Sequence, residues 1–375
     1  VTETIKISQS LGALYSEITS ICGFIPHSHE GKLMGLAAYG NINLDLFKGI
    51  ASLKNDGYKL HPKWRLKIRN RFNKRKFKLE ITQTEKDLAA TTQFFLEEAI
   101  IRKTRKLKND YQINNICLAG GTFLNCDTNT RIVNDLGFKN IFIQPASNDA
   151  GVSIGAAAET YNQKSNNPIN KMKHIYLGPC YTDKKIKKLL DEAKINYKPY
   201  DENFIVQSLI DGKIIARFSG EMEGGPRALG NRSILANPFY KGMKDKINNQ
   251  VKHREDWRPF APSVLSEHCK DLFINYVESP FMLLTLKVNK LGKKYLSEAV
   301  HIDDTARIQS VSLDTNKEYY NLINAFYKAT GCPGLLNTSF NYNEKPICCT
   351  PQQALQTFFS TGIDILILQN FVVVK

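Results

Sequence analysis

The sequence predicts an α/β protein built from two domains. Its 375 residues exceed the ~100–200 residues of a typical single domain. Strand-like apolar runs alternate with helix-like patterns in the first half, which is typical of a mostly parallel sheet. The segment Gln163–Lys171 is polar, contains proline and shows no periodicity, so we place the domain boundary there. The predicted domains are residues 1–166 and 167–375.

The first domain is predicted to contain helices and β-α units. An amphipathic helix covers Ser10–Gly23, with Gly23 as its C-terminal cap, and a long helix covers Thr84–Leu107. Between them lie a glycine-punctuated segment, Glu30–Gly40, and a strongly basic stretch, residues 41–83, that we predict to be irregular. The β-α units are Ile113–Leu118 into Leu124–Asp135 and Asn140–Ile143 into Ala150–Tyr161.

The second domain mixes its elements less regularly, which leaves α/β and α+β arrangements open. The predicted strands are Ile214–Phe218, Leu283–Val288, Ala306–Val311, Gly334–Asn337 and Ile363–Leu368. The predicted helices are Lys241–Val251, Glu318–Thr330 and Pro351–Ser360. A further apolar strand is expected after Phe260.

Composition excludes a disordered chain and an integral membrane protein. Hydrophobic residues make up 42% of the sequence, enough to build real cores. No uninterrupted apolar run approaches the ~20 residues that a transmembrane helix needs. None of the eight cysteines forms a C-x-x-C motif and no signal peptide is visible, which favours the reducing cytoplasm. The chain opens at Val1 rather than Met, and we expect it to be a fragment.

The net charge of +15 has two interpretations. It indicates either a phosphate-bearing partner or a general Lys/Asn/Ile-rich composition. The densest basic stretch runs from Lys63 to Lys78 and interleaves Trp64, Phe72 and Phe77 with cations, as single-strand binders do. An exposed, solvated surface explains the stretch equally well, so we do not expect a nucleic-acid partner.

Two polar turns follow strands of the first domain. Gly120 and Gly121 join a strand to a helix, where free N–H groups make a phosphate cradle and Asn125 could hold a ribose or phosphate. A tight turn whose helix Asn125 caps needs the same residues. After the next strand, Asp149 precedes a small-residue helix as an N-cap or, given partners, as a metal or nucleotide ligand.

Three segments of the second domain concentrate cations, and a fourth carries small hydrogen-bonding groups. Arg227 and Arg232 lie in the Gly- and Pro-rich segment GEMEGGPRALGNRS, and Lys252 and Arg258 in KHREDWRPF. Arg307 stands in a strand-like run where an arginine is costly unless paired. Asn337 and Ser339 end a strand with small hydrogen-bonding groups.

Guanidinium forks suit phosphates and carboxylates, so these clusters predict an anion site, although separate surface salt bridges would explain each one singly. No nucleophile motif is present, which favours catalysis by positioning and charge neutralisation.

From about residue 10 to its last strand, the chain resembles the O-carbamoyltransferases of nodulation-factor, cephem and tobramycin tailoring. The motifs that carry the resemblance are EGKLMGLAAYG, LAGGTFLNC, QPASNDAGVSIGAA, GEMEGGPRALGNRSILANP, VKHREDWRPFAPSVL, TARIQ and LNTSFNYNEKPICCTP. The resemblance implies the second half of an actin-like ATPase-fold domain followed by a YrdC-like α/β domain. It also implies that carbamoyl phosphate and ATP give carbamoyl-adenylate, whose carbamoyl group then passes to a substrate hydroxyl.

The resemblance also implies roles for individual residues. Those expected to hold carbamoyl phosphate and the ATP phosphates, with Mg²⁺, are Arg227, Lys252, Arg258, Arg307 and Ser339, joined by Arg232 and Asn337 as nucleotide-binding residues. In the actin-like domain, Gly120, Gly121 and Asn125 match a nucleotide-binding turn. Asp149 matches a metal ligand, with Fe²⁺ as the candidate ion, but the family's H-H-x-x-H-A and D-G-x-G motifs are missing here.

Alternatives to O-carbamoyl transfer remain open. One is threonylcarbamoyl-adenylate synthesis for tRNA modification, which uses both domain types. The other is a non-catalytic nucleotide-binding remnant. The expected partner is a small hydroxylated acceptor, such as a sugar or secondary metabolite, with no membrane and a possible homodimer.

Overall fold

The computed structural model describes residues 4–76, 80–165, 167–342 and 345–375. The chain forms two compact units, one ending at Asp149 and the other comprising Ala150–Lys375. This division falls ahead of the segment Gln163–Lys171, whose residue Asn166 lies outside the described residues. None of the described helices combines the length and the apolar character that crossing a bilayer would require.

The first unit is mostly helical. Its helices are α1 (Leu11–Ile21), α2 (Glu30–Leu36), α3 (Trp64–Arg71), α4 (Gln83–Tyr111) and α5 (Cys126–Asp135). The predicted first helix is confirmed: Ser10 caps α1 through a bond from Ala13 N, and Gly23 takes the left-handed conformation, with φ of 79°. The predicted long helix is confirmed and extended, because Thr82 and Glu85 form a capping box at its start.

Two small sheets complete the first unit. Strands β1 (Ala51–Lys54) and β2 (Gly57–Leu60) form an antiparallel hairpin, and β3 (Asn115–Leu118) pairs in parallel with β4 (Asn140–Ile143). The prediction that residues 41–83 are irregular is wrong, since they contain this hairpin and α3. Burial of Trp64 and Ile68 anchors α3 within a run of cations that hides its periodicity. Phe77 and Lys78 lie outside the described residues.

A mixed sheet forms the centre of the second unit. Its strands are β5 (Lys198–Pro199), β6 (Ile215–Phe218), β7 (Arg232–Ala236), β8 (Ala261–Leu265), β11 (Gln309–Val311), β12 (Gly334–Ser339), β13 (Ile365–Leu368) and β14 (Phe371–Val374). Among the described residues the sheet has eight strands, in the order β11-β8-β12-β7-β6-β13-β14-β5. The β11–β8 and β13–β6 pairs are parallel and the others antiparallel, so this sheet is mixed.

The predicted strand Ala306–Val311 is divided at Ile308. Its first part belongs to a separate antiparallel pair of β9 (Thr285–Lys287) with β10 (Thr305–Arg307), and its second part is β11 of the large sheet. Arg307 pairs with Thr285 at the end of β10. The division therefore removes Arg307 from the central sheet and places it in a short two-stranded arm.

Helices cover both faces of the large sheet. The helices of the second unit are α6 (Val152–Lys164), α7 (Asp183–Glu192), α8 (Glu202–Ile210), α9 (Met243–Ile247), α10 (Cys269–Leu272), α11 (Lys290–Tyr295), α12 (Lys317–Thr330) and α13 (Pro351–Phe359). One core cluster joins α7, α9 and α13 to one face of the sheet, and a second joins α8 and α12 to the opposite face. The unit is therefore a three-layer α/β/α arrangement, and the mixed α/β class is confirmed.

Candidate functional site

The loop between β6 and β7 is tied down by a buried carboxylate. Glu223 is 4% exposed, and its Oε1 accepts hydrogen bonds from the backbone N–H groups of Leu229 (2.8 Å), Asn231 (2.7 Å) and Arg232 (3.1 Å). A glycine-rich loop has few side chains of its own with which to pair its backbone. The carboxylate supplies those partners and so fixes residues 229–232.

Two buried arginines hold the carbonyl groups of the same loop. Arg217 NH1 donates to Gly230 O (2.9 Å) and to Asn231 Oδ1 (2.8 Å). Arg232 is fully buried, stacks 3.7 Å from the Phe218 ring centroid, and donates to several backbone carbonyls. Those carbonyls belong to Pro179 (2.9 Å), Ser219 (2.9 Å), Gly220 (3.1 Å) and Asn231 (3.0 Å). These contacts support a loop-ordering role for Arg232, and its assignment to nucleotide binding stays a prediction.

A buried amide network supports the loop from the end of β12. Asn337 Nδ2 donates to Ala228 O (3.3 Å), Ser263 Oγ (2.9 Å) and Gln309 Oε1 (3.2 Å). Gln309 Nε2 in turn donates to Leu229 O (2.8 Å). The network places Arg227, half-buried and adjacent to Ala228, beside the strand that carries Asn337 and Ser339.

Lys252 fastens the turn that follows β12. It ends a π-helical turn, Asn248–Lys252, and is 5% exposed. Its Nζ donates to Ser339 O (2.5 Å) and Oγ (3.3 Å) and to Asn341 Oδ1 (2.7 Å) and O (3.1 Å). Ser339 Oγ itself donates to Asn341 Oδ1 at 2.7 Å.

Arginines crowd around this lysine. Burial lowers the pKa of Lys252 well below its usual value, and the neighbouring charges of Arg254 and Arg258 lower it further. Burial, Arg258 and Arg307 together lower the pKa of Arg254 to about 9. Arg254 is held by Asn248 Oδ1 (2.9 Å) and lies 4.3 Å from the Phe260 ring centroid.

We call Lys252, Arg254, Arg258 and Arg307 the cation cluster. The Glu255 carboxylate lies 3.5 Å from Arg258 NH1. Bringing like charges together is unfavourable, and a bound polyanion would relieve that repulsion while using the guanidinium forks. The structure thus brings together three of the predicted residues, Lys252, Arg258 and Arg307, and joins Ser339 to them through Lys252.

Sequence reasoning missed several residues of this site. Arg254 is a further cation of the KHREDWRPF segment, and the sequence alone assigns it no role of its own. Glu223, Asn341 and Gln309 act by bonding to backbone or side chains distant in sequence. No local pattern distinguishes such a residue from any other polar one.

In the first unit, Gly120 and Gly121 form an open turn. Both are exposed, Gly120 has φ of 107°, and a Cβ on either would meet no atom within 4 Å. The Gly120 N–H already donates to Ser147 O (2.7 Å), and the phosphate cradle stays a prediction. Asn125 caps α5 by accepting from Thr128 N (3.0 Å) and pairs its amide with that of Gln93, with bonds of 2.8 and 3.0 Å.

The amide pair of Gln93 and Asn125 adjoins a carboxylate whose ionisation is unfavourable. Gln93 Nε2 donates to Glu97 Oε1 at 2.6 Å. Burial raises the pKa of Glu97 to about 7, and the charge of Asp127 adds to the effect, while Gln93 and Arg131 oppose it. A raised carboxyl pKa means that the folded state binds the proton more tightly than the unfolded chain.

We therefore expect the free energy of unfolding to fall as the pH rises from about 5 to about 8, through the pKa of Glu97. Glu97→Gln removes the contribution of Glu97 to this pH dependence. At the higher pH its free energy of unfolding should exceed that of wild type by on the order of 2 kcal/mol. Urea denaturation across that range measures it. Glu98→Gln is the control of opposite sign, because bonds from Arg131 and Arg102 outweigh burial and lower the pKa of Glu98. Parallel pH profiles for wild type and Glu97→Gln would contradict this assignment.

Asp149 ends the first unit in a 3-10 turn, with its side chain exposed. Within the described ranges, no three His, Cys, Asp or Glu side chains come together in a way that could hold a metal ion. The described residues around Asp149 therefore do not fit a metal ion.

Comparison with protein families gives two matches. A model described as the carbamoyltransferase N-terminus matches residues 1–158, and one described as the carbamoyltransferase C-terminus matches residues 206–375. Together they cover most of the chain. The second match contains the whole cation cluster.

Several curated proteins are similar over nearly the whole chain. Nodulation protein NolO of Bradyrhizobium diazoefficiens is 35% identical over 98% of this chain and 69% of its own length. Nodulation protein NolNO of Sinorhizobium fredii is 37% identical over 99% of this chain and 56% of its own length. The 3'-hydroxymethylcephem-O-carbamoyltransferase of Amycolatopsis lactamdurans is 29% identical over 92% and 66%. The chain thus spans roughly half to two thirds of the length of these relatives.

Among solved structures, HypF in a phosphate- and nucleotide-bound form matches 46% of this chain and 25% of its own. The TM-score is 0.35 and the identity 21%. A likeness this low supports no argument about fold or activity.

Proposed function

We propose a function on this premise: the chain belongs to the carbamoyltransferase family, matching its N-terminal and C-terminal models. It forms carbamoyl-adenylate from carbamoyl phosphate and ATP in its second unit and donates the carbamoyl group to a hydroxyl of a sugar or other small acceptor. The acceptor class is inferred from relatives named for nodulation and for a hydroxymethylcephem. We also propose that the first part of the chain has an actin-like fold and that a YrdC-like domain follows it.

The observation that carries the proposal is the cation cluster. The proposed reaction brings together two anionic substrates, the triphosphate ATP and the acyl phosphate carbamoyl phosphate. The electrostatic repulsion between them must be offset before they can react. Arg254, Arg258 and Arg307 concentrate positive charge around Lys252, whose Nζ lies 3.3 Å from the hydroxyl of Ser339. No protein nucleophile is needed, because water accepts the phosphoryl group of carbamoyl phosphate and the resulting carbamate attacks ATP.

Atom balance defines what must leave. The carbamoyl unit becomes bonded through oxygen to the α-phosphorus of ATP, the bond from that phosphorus to the β-phosphate bridge breaks, and pyrophosphate departs. Water is the co-reactant: it takes up the phosphoryl group of carbamoyl phosphate, which leaves as inorganic phosphate, and the carbamate oxygen freed in this way is the one that attacks the α-phosphorus. Cations fixed in advance around these leaving groups stabilise the charge that develops on them. We assign Arg227, Arg258 and Arg307 to the phosphates and Ser339 to the carbamoyl group.

Incorporation of labelled pyrophosphate into ATP tests the adenylating step. We expect exchange with this chain that requires carbamoyl phosphate. Exchange that requires threonine and bicarbonate would favour threonylcarbamoyl-adenylate synthesis, which the basic stretch near Lys63 encourages. ATP binding without exchange under any condition would contradict the proposal and favour the non-catalytic remnant.

A matched pair of variants places the reaction in the second unit. Arg258→Gln removes a charge of the cation cluster and should lower exchange by about 10²-fold. Arg105→Gln, an exposed arginine of α4 in the first unit, should leave exchange unchanged. Equal loss in the two variants would contradict the placement.

A further inference from the structure

The positive charge of this chain is concentrated in one segment of the first unit. Residues 48–76 contain eleven Lys or Arg residues and a single acidic one, Asp56, so they carry +10 of the net +15. A uniformly lysine-rich composition would spread that charge along the chain. The excess is therefore a property of this segment, and the fold of the segment decides what it can contact.

The segment is a folded surface. It comprises the β1–β2 hairpin and α3, which is fixed to the unit by the buried side chains of Trp64 and Ile68. The indole N–H of Trp64 also donates to Ser8 O at 3.0 Å. We call the exposed cations of residues 48–76 the basic surface. They are Lys48, Lys54, Lys59, Lys63, Arg65, Lys67, Arg69, Arg71, Lys74 and Lys76.

Two of these cations, Lys67 and Arg71, are positioned by backbone carbonyl groups that do not neutralise them. Lys67 Nζ donates to Gly49 O (2.8 Å), and Arg71 NH1 donates to Leu46 O (2.9 Å). Arg69 has a carboxylate partner, Glu17, at 2.6 Å. A hydrogen bond to a carbonyl oxygen orders a cationic side chain without neutralising its charge. Binding to an anionic partner then costs less conformational entropy, because these side chains are already ordered in the free protein.

We propose that the basic surface binds the phosphate backbone of a double-stranded nucleic acid. Ten exposed cations, three of them arginines, within residues 48–76 suit a row of phosphates, and release of counterions drives such binding. The Trp64 ring is buried and cannot stack on a splayed base, so contact is made with the backbone and tolerates any sequence. The basic surface belongs to the first unit and the cation cluster to the second, and this proposal does not rest on the proposed function.

A membrane surface fits these observations less well. A helix that lies in a bilayer turns its apolar face to the lipid. In α3 the large apolar side chains of Trp64 and Ile68 are buried in the protein. The apolar side chain that α3 exposes is Leu66, with a relative exposure of 54%. Because α3 spans eight residues, it also offers little area for insertion.

Fluorescence anisotropy with a labelled RNA hairpin, a DNA duplex and a single strand tests the proposal. We expect the duplexes to bind with a dissociation constant that rises steeply with salt, and the two duplex types show which sugar is preferred. The variant Lys59→Gln/Arg65→Gln/Lys74→Gln should weaken binding at least about tenfold and flatten the salt slope. Its exchange of pyrophosphate into ATP should be unchanged.

A second triple variant removes the same charge from the second unit. Lys184→Gln/Lys185→Gln/Lys188→Gln alters exposed lysines of α7 and should leave the affinity for the duplex unchanged. Equal weakening by the two triple variants would overturn the proposal, because net charge alone would then explain binding. Cosedimentation with phosphatidylserine vesicles in the absence of duplex binding would also overturn it.

Discussion

Replacing Lys252 with methionine should nearly abolish carbamoyl-phosphate-dependent pyrophosphate exchange, with a loss of about 10²–10³-fold. Methionine has a similar length and fits the buried space, but it cannot donate to the four oxygens of Ser339 and Asn341 that the ammonium contacts. Those acceptors would be left unsatisfied in the interior. The turn that presents Ser339 would then lose the side chain that fixes its position.

Lys246→Met is the matched control. Lys246 lies in α9, six residues before Lys252, and also donates to a backbone carbonyl, that of Gly212, at 2.8 Å. It belongs to a helix that leads to the site but contacts none of the cation cluster residues in the bonds described. We expect near-normal exchange in Lys246→Met. Thermal melts of each variant separate loss of folding from loss of function, and a folded Lys252→Met protein with normal exchange would contradict the assignment.

The mixed α/β class and most long elements follow from local patterns. Amphipathic spacing and good caps specify α1, α4, α12 and α13, because each helix supplies its own cap or apolar stripe. The hairpin and α3 follow from no such pattern. Their cations mask the periodicity, and Trp64 with Ile68 becomes informative only once tertiary burial is known.

The positions of the strands can be predicted from the sequence more readily than the pairing between them. The run from Ala306 to Val311 reads as one strand, and nothing local indicates that its halves pair with different partners, Thr285–Lys287 and Ala261–Leu265. The sheet is mixed because chain neighbours β6 and β7 pair antiparallel while β6 also pairs in parallel with β13, far along the chain. Pairing depends on contacts between distant residues, which a single sequence does not display.

The candidate site divides in the same way. Arginine and lysine among glycines and prolines are conspicuous, so Arg227, Lys252 and Arg258 could be chosen from sequence. Glu223 and Arg217 could not, because their importance lies in bonds to backbone groups of the loop between β6 and β7. Charge marks residues that face a ligand, whereas residues that position them are marked only by geometry.

Glu223→Ala should destabilise the protein by about 3 kcal/mol or more and also impair exchange in the molecules that remain folded. The carboxylate accepts from three buried N–H groups, and each buried donor left unsatisfied costs about 1–3 kcal/mol. Removing it also leaves Arg232, whose cation it offsets, in an interior that disfavours charge. Denaturant unfolding and the KM for ATP measure the two consequences.

Two further variants show whether the carboxylate acts through loop order. Glu223→Gln keeps an oxygen that can accept the three N–H bonds, so it should recover most of the stability and much of the affinity for ATP. Glu221→Ala, an exposed residue of the same loop, should change neither quantity. If Glu223→Ala raised the KM for ATP while Arg227→Ala did not, Arg227 would not be the group that the ordered loop presents. If Glu223→Gln were as damaging as Glu223→Ala, the charge opposite Arg232 would matter more than the hydrogen bonds to the loop.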